Sequence, residues 1–583
     1  MCGIAAAALR PKFRNEMVQM LLDFLRALEY RGYDSAGIGV YDEDSKRILI
    51  WKRKGKVESL ARILKSVKVR APVGVAHTRW ATHGVPSDVN AHPHTDCRNE
   101  VAVVHNGIIS NYKELRERLE KLGHKFVSDT DTEVVAHLFE EYSKQLSPFE
   151  AFEKTIKDLQ GYYAIVMITS KDPKRVYFAR KESPLVMGRG SKGYFLSSDV
   201  VSLLGSAEEV AVIEDGEYGW ISEDDYFVTG KSRKELNFFK PSWTPQQAMK
   251  GHYEHFMLKE IYEGPTAVRE TIVGILSDDN VFRAADMLED HVVAVAAGTS
   301  YHAALIFSYL YMKLTGKYII TLDASEAPHY ERLLRGTVIA VSQSGETYDT
   351  LKAVRIAKKN GAKIIGVVNV LGSTLDRESD ISLRLRAGPE IGVAATKTFL
   401  AQLTMLYALT YAKLGKDLEE SLKPLPEVVG ESLDMSAGYV KALANKLYQK
   451  RDMYVLGTGI SNFVAMEIAL KIKEISYIHA EAYPAGEAKH GPISLAEEGF
   501  PVLMAWTPED EDKLEVAAKE FSSRGSEVYW IGPRREVPVP DVGWELVPFA
   551  VTPPGQLLSY YLAVKRGLDP DKPRNLAKSV TVH

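Results

Sequence analysis

Cysteine is almost absent from this chain: two thiols, Cys2 and Cys97, in 583 residues. Two thiols this far apart found no disulfide framework, and a reducing, cytoplasmic setting is expected. Also missing is any apolar run long enough to cross a bilayer, so no membrane partner is expected. The first residues lack the charged-then-apolar layout of a signal peptide. No block of one charge sign occurs either. The 73 basic and 77 acidic residues are mixed along the chain, for a formal charge of −4. That balance argues against nucleic-acid binding and against an acidic disordered tail. The remaining composition, 45% hydrophobic and 26% charged, is that of a globular protein. The length exceeds a single core, and roughly three to four domains are expected.

Three stretches differ in pattern. Up to about residue 238, short strand-like runs (Val73–His77, Val101–His105, Tyr163–Ile168) mix with helical spacing over Met17–Tyr30 and Tyr112–Leu122. The segment Pro-Ser-Trp-Thr-Pro between Lys240 and Lys250 reads as a linker. A helical stretch of mixed charge follows at about Tyr253–Glu263. Beyond it, strand–turn–helix units alternate, which favours parallel sheets flanked by helices. These units also repeat. Val292-Val-Ala-Val-Ala-Ala-Gly-Thr-Ser300 resembles Asp452-Met-Tyr-Val-Leu-Gly-Thr-Gly459, and Thr337–Ser342 with Lys363–Val368 resembles Phe500–Ala505 with Glu527–Ile531. Two tandem copies of one α/β domain are expected.

The residues that carry chemistry fall into two sets. Removal of Met1 would give Cys2 both a thiol and a free α-amine, a nucleophile with its own base. His77-Thr-Arg-Trp-Ala-Thr-His83-Gly84, His105-Asn-Gly107 and Thr130-Asp-Thr-Glu133 supply what a thiol attack on glutamine requires. A side-chain amide beside a glycine N–H offers two donors to an oxyanion. A guanidinium and a carboxylate suit the two charged ends of the substrate. His77, His83, His92 and His94 lack a thiolate or carboxylate ligand pattern, so no metal is expected there. The second set is Ser342-Gln-Ser-Gly-Glu-Thr347, between a strand and a helix, with Gly298-Thr-Ser300 at the end of a neighbouring strand. Hydroxyls and N–H groups at a helix N-terminus make an anion site. The lysine of a nucleotide P-loop is missing, which argues against ATP.

Together with Cys2-Gly-Ile and Leu28-Glu-Tyr-Arg-Gly-Tyr-Asp-Ser-Ala-Gly37, the first set resembles the N-terminal-nucleophile glutamine amidotransferases. The second resembles the sugar isomerase (SIS) domains. With Glu390–Ala394, Leu470–Glu481, Gly486–Pro492 and Pro573–Val582, the whole chain resembles the family of isomerising glutamine–fructose-6-phosphate aminotransferases. The resemblance implies α/β and α+β architecture: an αββα amidotransferase sandwich over 2–238, a linker and connecting helix over 239–277, and doubly wound SIS domains over 278–425 and 440–573. A tail over 574–583 would contribute to the sugar site. It further implies Cys2 as nucleophile, Asn106 and Gly107 as oxyanion hole, and Arg79, Thr82, His83 and Asp131 as glutamine contacts. Trp80 would gate the passage of ammonia. Thr299, Ser300, Ser342, Gln343, Ser344, Thr347 and Val393 would hold the sugar phosphate. Glu474 would shuttle the proton, His490 would open the sugar ring, and Lys578 and Lys471 would complete the site.

The implied substrates are L-glutamine and D-fructose 6-phosphate, with no cofactor. The relatives take a histidine from a neighbouring subunit, which implies a homodimer with His490 as candidate donor. Ala297, Ala395 and His583 depart from the family's usual residues, and Cys97 reads as an incidental thiol. The alternatives, a phosphoribosyl amidotransferase, a sugar-phosphate deglycase or a sugar-phosphate-sensing regulator, each leave one of the two sets unused.

Overall fold

The computed structural model describes residues 2–80, 84–230, 235–241, 243, 247 and 249–578. The chain divides into two compact units, with the boundary between Met249 and Lys250.

In the first unit, two antiparallel sheets lie face to face. The seven-stranded sheet runs Glu209–Val212, Val186–Gly190, Gly193–Ser197, Gly3–Leu9, Val73–Arg79, Ser35–Asp42 and Arg47–Lys54 in spatial order. The five-stranded sheet runs Tyr226–Thr229, Tyr218–Ile221, Asp172–Lys181, Gly161–Thr169 and Val101–Ile109. The run Ile4-Ala-Ala-Ala-Ala8 shows why the layers form. Alternate side chains of a strand point to opposite faces. Ala5, Ala7 and Leu9 join the core under helix Met17–Leu28, while Ile4, Ala6 and Ala8 join the core between the sheets. A strand apolar on both faces must be covered on both, and its small residues let the layers approach closely. Helices Tyr112–Lys121, Glu133–Tyr142 and Pro148–Asp158 cover the other sheet. The layers are therefore helix, sheet, sheet, helix, as expected.

The second unit contains two parallel sheets. One has strand order Ile320–Asp323, Val292–Ala296, Thr337–Ser342, Lys363–Val368 and Ile381–Arg384. Numbered along the chain this is 2-1-3-4-5, the doubly wound order with a switch point between its first and third strands. The other sheet runs His479–Pro484, Asp452–Gly457, Pro501–Ala505 and Glu527–Ile531. The repeat extends to backbone detail. Gly298 (φ 55°, ψ −130°) and Gly459 (φ 51°, ψ −128°) make the same turn, and each opens a 17-residue helix, Thr299–Thr315 and Ile460–Ser476. A positive φ of this kind favours glycine.

Two expectations about boundaries change. Residues 256–276 are not a connector: helices Phe256–Tyr262 and Gly264–Leu276 bury Met257, Ile261, Ala267, Val268 and Ile275 in the core of the second unit. The two SIS copies are not separate globules either. Helix Leu425–Leu447 begins at the expected end of the first copy, extends past the expected start of the second and packs against Val547–Lys565. One continuous core runs beneath both sheets.

Candidate active sites

The antiparallel register Gly3↔Thr78 carries Cys2 to the end of strand Val73–Arg79. There Cys2 Sγ accepts from the Trp80 N–H at 3.1 Å and lies 3.3 Å from the Trp80 carbonyl. Burial pushes the thiol pKa up, opposed by the Trp80 N–H and the Arg79 guanidinium. Asn106, on strand Val101–Ile109 of the facing sheet, donates Nδ2 to the Cys2 carbonyl at 2.9 Å. Its Oδ1 lies 3.1 Å from His77 Nε2, which also lies 3.0 Å from the His105 carbonyl. Two acceptors on one nitrogen assign the proton to Nε2 and fix the amide with its NH2 towards Cys2. Gly107 has φ 128°, and a Cβ there would stand 2.1 Å from the Tyr162 carbonyl, so only glycine fits beside Asn106.

Arg79 is buried, donates Nη2 to the Gly84 carbonyl at 3.0 Å and feels the charges of Cys2, Asp34 and Asp131. Asp131 is held by the Ile109 N–H at 2.8 Å. The structure thus gathers Cys2, Asn106, Gly107, Arg79 and Asp131, with Trp80 edge-on to Tyr33 at 5.6 Å. Thr82 and His83 lie outside the described residues. His77 stacks on His92, with ring centroids 4.1 Å apart, and His94 meets His92 edge-on at 4.6 Å. Burial holds His77 down at about 3 and the other two well below their ordinary value, so all three are neutral imidazoles. Two neighbours of Cys2 were not singled out from sequence. Arg31 donates Nε to its carbonyl at 3.4 Å, and Asp34 contributes its charge. Both lie inside the quoted run 28–37.

In the second unit, Thr299, Ser300 and the 342–347 loop sit at the carboxyl ends of the two strands flanking the switch point, where open α/β sheets take ligands. The loop is held open by its own bonds: Ser342 Oγ to Thr347 Oγ1 at 2.9 Å, Gly345 N–H to Ser342 Oγ at 3.1 Å, and Glu346 N–H to Ser344 Oγ at 3.1 Å. The Gln343 carbonyl accepts from the Asn369 N–H. Thr347 stands at the N-cap position of helix Tyr348–Lys359 without a side-chain capping bond, so hydroxyls and the positive end of a helix dipole converge.

A buried carboxylate, Glu467, links this loop cluster to the candidate proton shuttle. Glu467 Oε1 accepts from Thr299 Oγ1 at 3.1 Å and lies 3.6 Å from Lys471 Nζ, while Oε2 lies 2.7 Å from His302 Nδ1. Lys471 is ion-paired with Glu474 one turn on. Burial alone would lower the Lys471 pKa, but the carboxylates of Glu474 and Glu467 hold it above its usual range. The pair is therefore not a surface ion pair: the Lys471 side chain is 1% exposed.

Lys578 donates to Glu390 Oε2 at 2.6 Å and to the Gly392 carbonyl at 2.8 Å. Glu390 also accepts from the Thr396 and Thr398 N–H groups at the start of helix Lys397–Lys413. Beside it Glu260 accepts from the Ile391 and Gly392 N–H groups, and Val393 N–H reaches the Asp571 carbonyl. Glu467 and Glu260 were not singled out from sequence, and Glu390 entered only as the first residue of the stretch 390–394, without a role. The signal available was spacing: Glu467, Lys471 and Glu474 fall on one face of a helix at i, i+4, i+7. His490 is exposed, on the turn Ala488–His490, and its ring hydrogen-bonds to none of the described residues.

Comparison with known proteins finds both domain types in this chain. A glutamine amidotransferase domain matches residues 77–205, and SIS domains match 288–412 and 446–538. The chain is 45% identical over 620 residues to "Glutamine--fructose-6-phosphate aminotransferase [isomerizing]" of Aeropyrum pernix, covering all of both chains. It is 44% identical over 596 residues to the enzyme of that name from Sulfurisphaera tokodaii, again over the full length of each. The solved C-terminal domain of the glucosamine-fructose-6-phosphate aminotransferase of Francisella tularensis is 33% identical. It superimposes with TM-score 0.51, covering 56% of this chain and 100% of that one. With full-length identity at this level and both domain types matched in order, the chain belongs to the isomerising glutamine–fructose-6-phosphate aminotransferase family.

Proposed function

We propose that this protein transfers the amide nitrogen of L-glutamine to D-fructose 6-phosphate and isomerises the product to D-glucosamine 6-phosphate, leaving L-glutamate. The observation that carries the reading is Glu467, which ties Thr299, at the end of its strand, to the Lys471–Glu474 pair. An anchored sugar phosphate thereby lies beside a carboxylate poised for proton transfer.

At the first site the Cys2 thiol, deprotonated by the amine exposed when Met1 is removed, attacks the glutamine carboxamide. Asn106 Nδ2 and the Gly107 N–H receive the oxyanion. Arg79 and Asp131 hold the substrate's carboxylate and ammonium, a role shared with Thr82 and His83. Ammonia departs, and water cleaves the thioester to glutamate. At the second site the hydroxyls of Ser342, Ser344 and Thr347, with Thr299, Ser300, Gln343 and Val393, hold the phosphosugar. Ammonia condenses with its C2 ketone, losing the equivalent of the water consumed at Cys2. Glu474 takes the proton from C1 and returns it at C2. Lys471 keeps that carboxylate ionised and aimed, and Lys578 closes the pocket from the tail.

Exposure of His490 supports a homodimer in which it opens the sugar ring of a second copy. We also propose that Trp80 gates ammonia release and that residues 574–583 act as part of the sugar site. No helix among the described residues is long and apolar enough to cross a membrane, which supports a cytoplasmic setting. The test is product formation with a Cys2→Ser control. Wild type should convert glutamine and fructose 6-phosphate to glutamate and glucosamine 6-phosphate, and the variant should form neither. Hydrolysis of glutamine by the Cys2→Ser variant at the wild-type rate would refute the assignment.

A further inference from the structure

The first unit carries a second set of reactive side chains that the amidase chemistry leaves unused. Cys97 lies in the turn before strand Val101–Ile109, and His124 in the loop after helix Tyr112–Lys121. His137 and Glu140 stand one turn apart on helix Glu133–Tyr142. Cys97 Sγ is 3.7 Å from His124 Nδ1 and 3.6 Å from His137 Nδ1. The two Nδ1 atoms are 3.3 Å apart, and Glu140 Oε2 is 3.0 and 3.4 Å from them. All four ligand atoms fall within 4.8 Å of one another.

These distances are the edges of a coordination tetrahedron. Bonds of about 2.3 Å to sulfur and about 2.0–2.1 Å to nitrogen or oxygen, at tetrahedral angles, give edges of about 3.5 Å for S–N and about 3.3 Å for N–N or N–O. The outer contacts agree. His124 Nε2 lies 3.0 Å from Glu141 Oε2, and His137 Nε2 lies 3.5 Å from Glu133 Oε1. His124 thereby gives its Nε2–H to a carboxylate and turns its Nδ1 lone pair inward, the orientation that metal-bound histidines take, while His137 Nε2 faces Glu133 without a hydrogen bond among the described residues. His124, His137 and Glu140 are buried, and Cys97 is exposed, which leaves an entry path from solvent.

We propose that Cys97, His124, His137 and Glu140 form a tetrahedral site for a structural divalent cation of the zinc class. One sulfur, two imidazoles and one carboxylate suit zinc rather than magnesium or calcium, which take oxygen ligands. Four protein ligands leave no open position, which makes the ion structural rather than catalytic. On binding, Cys97 releases its thiol proton to solvent and the imidazoles stay neutral. The ion then clamps the 95–100 turn and the 122–125 loop to helix Glu133–Tyr142. The residues just before that helix include Asp131, as well as Thr130 and Thr132, whose hydroxyls lie 3.1 Å from His94 Nε2 and 2.9 Å from His105 Nδ1. The ion thus braces the acidic wall of the glutamine site. Cys97 is consequently not an incidental thiol. Spacing hid this, because it stands 27 and 40 residues from its two imidazole partners.

The test is metal content of the full-length protein, purified untagged, loaded with zinc and dialysed against zinc-free buffer. Wild type and Cys2→Ser should each retain stoichiometric zinc by plasma mass spectrometry, and Cys97→Ser/His137→Gln should retain none. Zinc-free wild type, or equal retention by the double variant, would overturn the proposal. Should the double variant fail to fold, cobalt-loaded Cys2→Ser decides, since Cys97 is then the sole thiol. A thiolate-to-cobalt charge-transfer band with tetrahedral visible bands is expected, and its absence rejects the site. Neither readout depends on glutaminase activity.

Discussion

Removal of the Glu467 carboxylate should damage the sugar half of this enzyme and spare the amidase half. Glu467 is fully buried, and so is Lys471 beside it. In Glu467→Ala the Lys471 ammonium keeps Glu474 as its ion-pair partner and the more distant charge of Glu390, while Thr299 Oγ1 and His302 Nδ1 lose this acceptor. Breaking a buried ion pair by deleting one partner costs about 3–5 kcal/mol. Two hydrogen bonds to a charged group, at about 1.5–3 kcal/mol each, give an overlapping range of about 3–6 kcal/mol. For a unit of this size that lowers Tm by roughly 4–7 °C. Glu467→Gln, which keeps the shape and one acceptor, should lose distinctly less. Calorimetry of the full chain should show the loss in the transition of the second unit alone. Steady-state assays should show at least a tenfold fall in kcat/KM for fructose 6-phosphate, about 1.4 kcal/mol of transition-state stabilisation. Hydrolysis of glutamine without sugar should be unchanged. An alanine variant with the Tm and sugar kinetics of wild type would refute the bridging role.

Asn106→Ala should reduce glutamine hydrolysis by about 10²–10³-fold with a smaller change in KM, as for loss of one oxyanion donor; an equal effect on KM alone would assign Asn106 to binding. Lys578→Met leaves Glu390 without its cation, so formation of glucosamine 6-phosphate should fall while sugar-free glutaminase persists. Acid should destabilise the first unit. His77, His92 and His94 have folded pKa values below the usual 6.5, so the unfolded chain binds more protons as the pH falls. Their contribution is fully present above 6.5 and is lost on acidification. At one unit below, the loss is about 1.4 kcal/mol for each ring, about 4 kcal/mol for three. A Tm for this unit that stays flat over that interval would contradict neutral burial of the three rings.

The strands were the most legible part of the sequence. Thr337–Ser342, Lys363–Val368 and Glu527–Ile531 form as read, because short apolar runs between turn residues have few alternatives. The loops that follow them were legible for the same reason, since Gly298 and Ser342–Thr347 sit where strand becomes helix. Helical packing was much less so. The apolar residues of 256–276 carry no sign of which core they enter, and a segment after a Pro-rich stretch resembles a connector. The shared core of the two SIS copies depends on Leu425–Leu447 and Val547–Lys565, whose partners are distant in sequence. Buried carboxylates were hidden too. In sequence Glu467 is one more charged helix residue, and only packing shows that it lies between Thr299, His302 and Lys471.

The most direct measurement of the central claim uses amide-¹⁵N glutamine with fructose 6-phosphate and protein whose first residue is verified as Cys2. Mass spectrometry of the products should show ¹⁵N in glucosamine 6-phosphate together with glutamate, establishing both sites and the transfer between them. Labelled ammonia and glutamate without labelled amino sugar would contradict the transfer, and unconsumed glutamine would contradict the amidase itself.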